Sequence, residues 1–343
     1  MRRGDRSCRA ILGEKNMSND QHVITRHPIA DVIARHGTLV IDGAMSTALE
    51  ALGADLNDTL WSAKVLYEAP ELIERVHYDY FKAGANAAIT ASYQATEAGF
   101  ATKGFDAARA AELVELSVEL AKRAREKVLA EDASLLKDDL LIAGAIGPYG
   151  AYLADGSEYT GRYQLTKDEF VAFHKLRLES LIKAGADLLA IETQPRMDEI
   201  ETLLSMLEGR DVVCWVTMTL ADEGHLPDGT TLEEAARRLD ANPHVEAFGL
   251  NCIKRELAEP ALARLASQSK KPLIVYPNSG ETYDPATKTW HHPVAGGHDW
   301  SHFVPRWQGA GARCIGGCCR TLPGAIIEIA RALKARGKKK GRG

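Results

Sequence analysis

Two short runs concentrate groups that can do chemistry: Gly316-Gly317-Cys318-Cys319-Arg320 near the C-terminus and Gly249-Leu250-Asn251-Cys252 upstream of it. Neighbouring side chains on a regular strand point to opposite faces. For both sulfurs of an adjacent pair to meet one partner, the backbone must leave strand geometry, and glycine permits that. Three thiolates with one open position would suit a catalytic zinc ion. The adjacent pair could instead be a vicinal disulfide, which a reducing compartment disfavours. A lone cysteine at a strand end is ordinarily a small buried hydrophobe, which is the reading for Cys214 and Cys314, and would be the reading for Cys252 if it stood apart. Asp42 and Glu192 each close an apolar run. A carboxylate there either caps the next turn or, with a second acid on the same rim, holds a cation such as an amino acid's ammonium or does acid–base work. The amides of Gly43 and Ala44 could receive a carboxylate at a helix start. Tyr149, Tyr152, Tyr159, Tyr163, Trp61 and Trp290 offer aromatic faces to a cation, or singly fill core and rim.

The elements that must position these groups alternate along the chain. Apolar, β-branched runs predict strands at 38–42, 86–92, 140–146, 187–192, 212–220, 245–251, 273–276 and 313–316. Helical patterns lie between them. Pro70 opens one, with Leu72, Ile73, Val76 and Tyr80 on one face. Another spans 106–130. Thr166 and Glu169 form a capping box before Phe170, Phe173, Leu181 and Ile182. Pro195 starts a helix that buries Ile200, Leu203, Leu204 and Leu207, and Thr231 with Glu234 caps a further one. Ala83-Gly84-Ala85, Ala184-Gly185-Ala186 and Ala310-Gly311-Ala312 each close a helix and feed a strand, a repeated βα joint with glycine at the helix end. The 149–163 loop is long for a compact domain and reads as a lid or substrate loop.

Eight such units predict an α/β fold, a (β/α)8 TIM barrel. The rival, a doubly wound open sheet, would want a GxGxxG turn after its first strand, and none is there. In a barrel the strand C-termini form one rim, so Cys252, Cys318 and Cys319 come together from strands six and eight, beside Asp42 and Glu192.

The chain has 343 residues, 45% hydrophobic and 26% charged, with a net charge of −5. That balance describes a globular protein with no electrostatic reason to bind nucleic acid or an acidic membrane. No apolar run reaches the roughly 18–20 residues of a membrane span. Six cysteines without a dense framework fit a reduced, cytoplasmic protein. Residues 1–27 are expected to be a disordered extension, with Met17 an alternative start; 28–335 the barrel domain; and 336–343 a basic, solvated tail.

The segments Asp42-Gly43-Ala44-Met45, Thr90 to Thr96, Gly147 to Tyr159, Gly249 to Cys252, Tyr276 to Glu281 and Gly316 to Thr321 resemble the zinc-dependent homocysteine S-methyltransferases, closest to the bacterial enzymes that use S-methylmethionine. The likeness covers about residues 28 to 335. It implies Zn2+ held by Cys252, Cys318 and Cys319, with the homocysteine sulfur as fourth ligand. It also implies that Asp42 and Glu192 hold the substrate amino group, that Gly43 and Ala44 meet its carboxylate, and that Asn251 lies in the substrate site. The methyl donor implied is S-methylmethionine, with S-adenosylmethionine as a second. Betaine is the alternative within the family, whose betaine-using members carry a tyrosine where Gln94 falls here. A zinc hydrolase and a closed structural zinc site are the rivals outside it. The oligomeric state is left open.

Overall fold

The computed structural model describes residues 24–280, 282–284, 289–291 and 300–340. Eight parallel strands form one sheet: β1 (Leu39–Val40), β2 (Ala87–Ile89), β3 (Leu141–Ile146), β4 (Leu188–Gln194), β5 (Cys214–Met218), β6 (Val245–Asn251), β7 (Leu273–Tyr276) and β8 (Ala312–Ile315). Their order is β1-β8-β7-β6-β5-β4-β3-β2. A parallel bridge from Ile41 to Ala87 brings the two ends together, with Asn86 N donating to Val40 O at 2.7 Å and Asp42 N to Ala87 O at 3.0 Å. The sheet is therefore a (β/α)8 barrel; β1, β2 and β5 are shorter than their apolar runs because those runs continue into the turns, β6 and β7 match theirs, and β4 runs on to Gln194.

Alternation along each strand divides two cores. Leu39, Ile41, Ala87, Leu141, Ala143, Leu188, Ala190, Trp215, Ala247, Ile274 and Cys314 fill the barrel interior. The opposite residues, such as Ile142, Leu189, Val216 and Phe248, pack outward on the helices. The helix Pro28–His36 sends Ile29 and Val32 into the interior cluster and plugs its lower end. Cys214 and Cys314 are both fully buried, and burial pushes both thiols up, as suits inert hydrophobes.

The repeated joint is real: Gly84, Gly185 and Gly311 all have left-handed backbone, with φ of +102°, +73° and +110°. The capping box at Thr166 and Glu169 is complete. The helix expected from Pro195 begins at Met197, since Arg196 keeps an extended backbone to form its entry. The long loop after β3 contains two short helices, Tyr149–Leu153 and Ser157–Thr160. A hairpin pairs Thr282–Asp284 with Thr289–His291 after β7; Glu281 and the side chain of Trp290 lie outside the described residues. Thr25, within the expected extension, donates its N–H to Asp211 at 2.9 Å, and the last helix runs Pro323–Lys340, past the expected boundary at 335. Residues 1–23 and 341–343 are outside the described residues. Among the described residues no helix is long and apolar enough to cross a membrane.

Gly249 packs directly against the β7 backbone: a Cβ there would lie 1.9 Å from the Ile274 carbonyl oxygen. Gly249→Ala is expected to lower unfolding free energy by at least about 2 kcal/mol, read by urea denaturation, because backbone rather than a flexible side chain blocks the methyl.

Candidate active site

The three cysteines meet at the C-terminal rim as barrel closure requires. Cys252 follows β6 in a left-handed conformation, φ +51°, which turns its sulfur back over the rim; its N–H donates to Tyr276 O at 3.2 Å. Cys318 and Cys319 follow β8, tied by Cys318 N to Pro277 O at 2.9 Å and by Ser279 N to Cys319 O at 3.0 Å. One ligand atom from each lies within 4.8 Å of the others. Cys252 and Cys318 approach with Cα atoms 5.6 Å apart, so the sulfurs that converge come from β6 and β8.

These side chains suit a metal ion. Tetrahedral coordination at about 2.3 Å per Zn–S bond separates sulfurs by about 3.8 Å, and Cys252 and Cys319 are 3.8 Å apart. Cys318 completes the set. Burial pushes the Cys319 thiol up to about 11, opposed by a hydrogen bond from the Tyr159 hydroxyl. Without a cation this sulfur stays protonated at neutral pH.

The glycines before the pair act differently from expectation. Neither Gly316 nor Gly317 has a positive φ. They are needed for space: a Cβ on Gly316 would lie 2.7 Å from Ile41 Cβ, and one on Gly317 2.4 Å from Thr321 Oγ1. Gly317 N donates to Asp42 O at 3.1 Å, and Ala44 N to Thr321 O at 2.9 Å. The Ala44 amide expected to receive a substrate carboxylate is thus already bonded within the protein. Tyr80, placed by its helix pattern in the core, donates its buried hydroxyl to the carbonyls of Ala44 and Thr321 at 3.0 and 2.9 Å.

Asp42 is 1% exposed. Its Oδ2 accepts from Ile89 N at 2.9 Å, while Oδ1 has no partner among the described residues. Burial, then the charge of Glu192, raises its pKa well above the usual range. Glu192 accepts from Tyr276 Oη at 3.0 Å, and Tyr276 pairs with Thr217 Oγ1 at 2.7 Å. Burial lifts Glu192 to about 7. Asp42 lies directly behind Gly43, within reach of the Glu192 charge, and Glu192 lines the same pocket as the sulfurs, Gly43 and Ala44. Asn251 lines it too, but both ends of its amide hold Thr193: Oδ1 accepts from Thr193 N at 2.8 Å and Nδ2 donates to Thr193 Oγ1 at 2.7 Å. Thr193 is left-handed, φ +58°, so Asn251 stabilises the turn that aims Glu192.

The lid is fastened by a buried network that sequence reasoning missed. Glu199 accepts from Tyr149 N at 2.6 Å, Tyr163 Oη at 2.6 Å and His174 Nε2 at 2.8 Å. Arg177 donates to Gly147 O at 2.7 Å and to Tyr93 O. The partners are up to 84 residues apart, and the only local signal was a charged residue on the apolar face of each helix. Tyr159, 42% exposed at the rim, turns its hydroxyl to Cys319, and Glu158 lines the same pocket.

A β/α barrel that gathers three sulfurs and two buried acids at its catalytic rim is a thiolate-metal enzyme in outline. The chain belongs to the homocysteine S-methyltransferase family, whose profile matches residues 39–333. It is 51% identical over 311 residues to the homocysteine S-methyltransferase of Escherichia coli K12, covering 90% of this chain and 98% of that one. It is 46% identical to the homocysteine S-methyltransferase YbgG of Bacillus subtilis, covering 90% and 99%. Among solved structures, the metallated form of the E. coli homocysteine methyltransferase MmuM superposes with a TM-score of 0.80 at 49% identity, over 90% of this chain and 99% of that one. The oxidized form gives 0.81 at 49% identity, over 91% and 100%.

A carboxyl whose pKa is raised on folding, from 4.5 to about 7 for Glu192, contributes stability below pH 4.5 that is lost as pH rises through 7. In the metal-free protein, Glu192→Gln is therefore expected to be more stable than wild type at pH 8, and that advantage should vanish at pH 4.5 in urea titrations.

Proposed function

We propose that this enzyme transfers a methyl group from S-methylmethionine to the sulfur of homocysteine, giving two methionines, with zinc held by Cys252, Cys318 and Cys319. The observation that carries the reading is the convergence of those three sulfurs beside two buried, cation-seeking acids. Zinc bound there would ionise the homocysteine thiol, which near pKa 8.5 is only a few per cent thiolate at about pH 7.

Around that centre the chain's own groups bind and orient. Asp42 and Glu192 take the homocysteine ammonium, which supplies the cation that the free Oδ1 of Asp42 lacks and restores ionisation to Glu192. Gly43 lies beside Asp42 in the pocket and faces the substrate carboxylate. Asn251 serves by holding Thr193, and through it Glu192. The donor enters from the lid side, with its sulfonium methyl in line with the acceptor sulfur. The thioether that leaves is neutral, so no general acid is needed. That agrees with a pocket in which no Lys, Arg or His is among the described lining residues.

S-adenosylmethionine is proposed as a slower second donor. Betaine is disfavoured because Gln94 stands where betaine-using relatives carry tyrosine, and its Nε2 is committed to Ala151 O at 2.9 Å. A hydrolase would be expected to use His and carboxylate ligands rather than three thiolates. Free thiols at the site require a reducing compartment, which is the basis for a cytoplasmic location.

Two measurements check this. Cys318→Ser should lose stoichiometric zinc and at least about a hundredfold in turnover with S-methylmethionine; full metal with full activity would end the zinc reading. Asp42→Asn should raise the homocysteine KM about ten- to a hundredfold, the cost of one charged hydrogen bond, in steady-state assays of the zinc-loaded protein.

A further inference from the structure

The pocket that holds the three sulfurs is lined by a second acid besides Glu192: Glu158, from the lid rather than from a strand end. Its Oε2 is closed off from solvent and has no hydrogen-bond partner among the described residues. Burial raises its pKa, and the charge of Asp155 adds to this. Its charge reaches the Cys319 sulfur, as that of Glu192 does, but it is carried by the lid and not by a strand end. The carboxyl accepts from its own backbone amide, which leaves Oε2 shielded without a partner, a costly state, and the backbone that carries it is fixed. A Cβ on Gly150 would lie 2.6 Å from Glu158 N, so the two lid helices are in direct contact. Ser157 N is bonded to Asp155 at 3.0 Å, and Glu199 ties down both Tyr149 and Tyr163. The next residue, Tyr159, is bonded to Cys319. A fastened lid thus holds a carboxylate with one unpartnered oxygen close enough for its charge to reach the Cys319 sulfur.

We infer that Glu158 binds the α-ammonium of the methyl donor, an inference that rests on the reading of the donor as an amino-acid sulfonium. Homocysteine brings one cationic group, matched by Asp42 and Glu192. S-Methylmethionine brings two, an ammonium and a sulfonium. The sulfonium charge disappears as the methyl transfers, so a carboxylate set against it would stabilise the ground state more than the transition state. The ammonium keeps its charge throughout, and it can donate hydrogen bonds that a sulfonium cannot. Glu158 is then a specificity determinant whose contribution is to donor binding and not to the chemical step.

The test compares S-methylmethionine with its des-amino analogue, (3-carboxypropyl)dimethylsulfonium, in zinc-loaded wild type, Glu158→Gln and Glu158→Asp. Glu158→Gln should raise the S-methylmethionine KM about ten- to a hundredfold, with kcat and the homocysteine KM within about twofold of wild type. It should leave the des-amino donor unaffected, so that the preference for the amino donor collapses, and Glu158→Asp should restore part of it. Equal losses for both donors, or a rise in the homocysteine KM instead, would mean that Glu158 braces the lid or serves the acceptor, and the inference falls. If wild type does not turn over S-methylmethionine, the donor reading fails and takes the inference with it. Normal turnover with an unchanged preference in Glu158→Gln overturns the inference alone.

Discussion

The site depends on one close approach: the turn after β8 is pressed against the turn after β1. Gly317 donates to the Asp42 carbonyl, Ala44 to Thr321, and Tyr80 bridges both turns from below. Gly316 and Gly317 leave no room for a side chain because that space is filled by Ile41 and Thr321. Through this contact the backbone that carries two sulfurs is continuous with the backbone that carries Asp42. Barrel closure between β1 and β2 is held by the same segment. Metal site and amino-acid site are therefore parts of one rigid corner.

Electrostatics give that corner its direction. Glu158 and Glu192 line the pocket with the sulfurs and Asp42 lies behind its Gly43 wall, each raised by burial, and no cation is among the described residues that line the pocket. Such an arrangement is unfavourable in the free protein and becomes favourable when positive charge arrives. A metal ion, an ammonium and a sulfonium are the charges a methyl transfer to a thiol would bring. Two devices keep the acids in place against their own repulsion. The Tyr276–Thr217 chain and the Asn251–Thr193 clasp hold Glu192, and the Glu199–His174–Arg177 network holds the lid.

Much of this was legible from the chain itself. The Asp42 and Glu192 carboxylates and all three cysteines stand at the ends of apolar runs, and period-two alternation with glycine-capped helices implied that those ends share a rim. What was not legible has a common origin. Gly316 and Gly317 were given a conformational role, and the cause was steric, from Ile41 and Thr321 some 270 residues and four residues away respectively. The Ala44 amide is bonded to Thr321 and the Asn251 amide to Thr193, partners that no local pattern shows.

By itself, then, the sequence determined the barrel, its strand order of use along the chain, and the residue types available at the rim, because strand and helix periods and cap residues are local properties. Only the tertiary structure decided which of those groups are free. Whether a donor or acceptor is spent depends on what barrel closure brings beside it. That is why the open Oδ1 of Asp42 and the shielded Oε2 of Glu158 emerge only once the chain is folded.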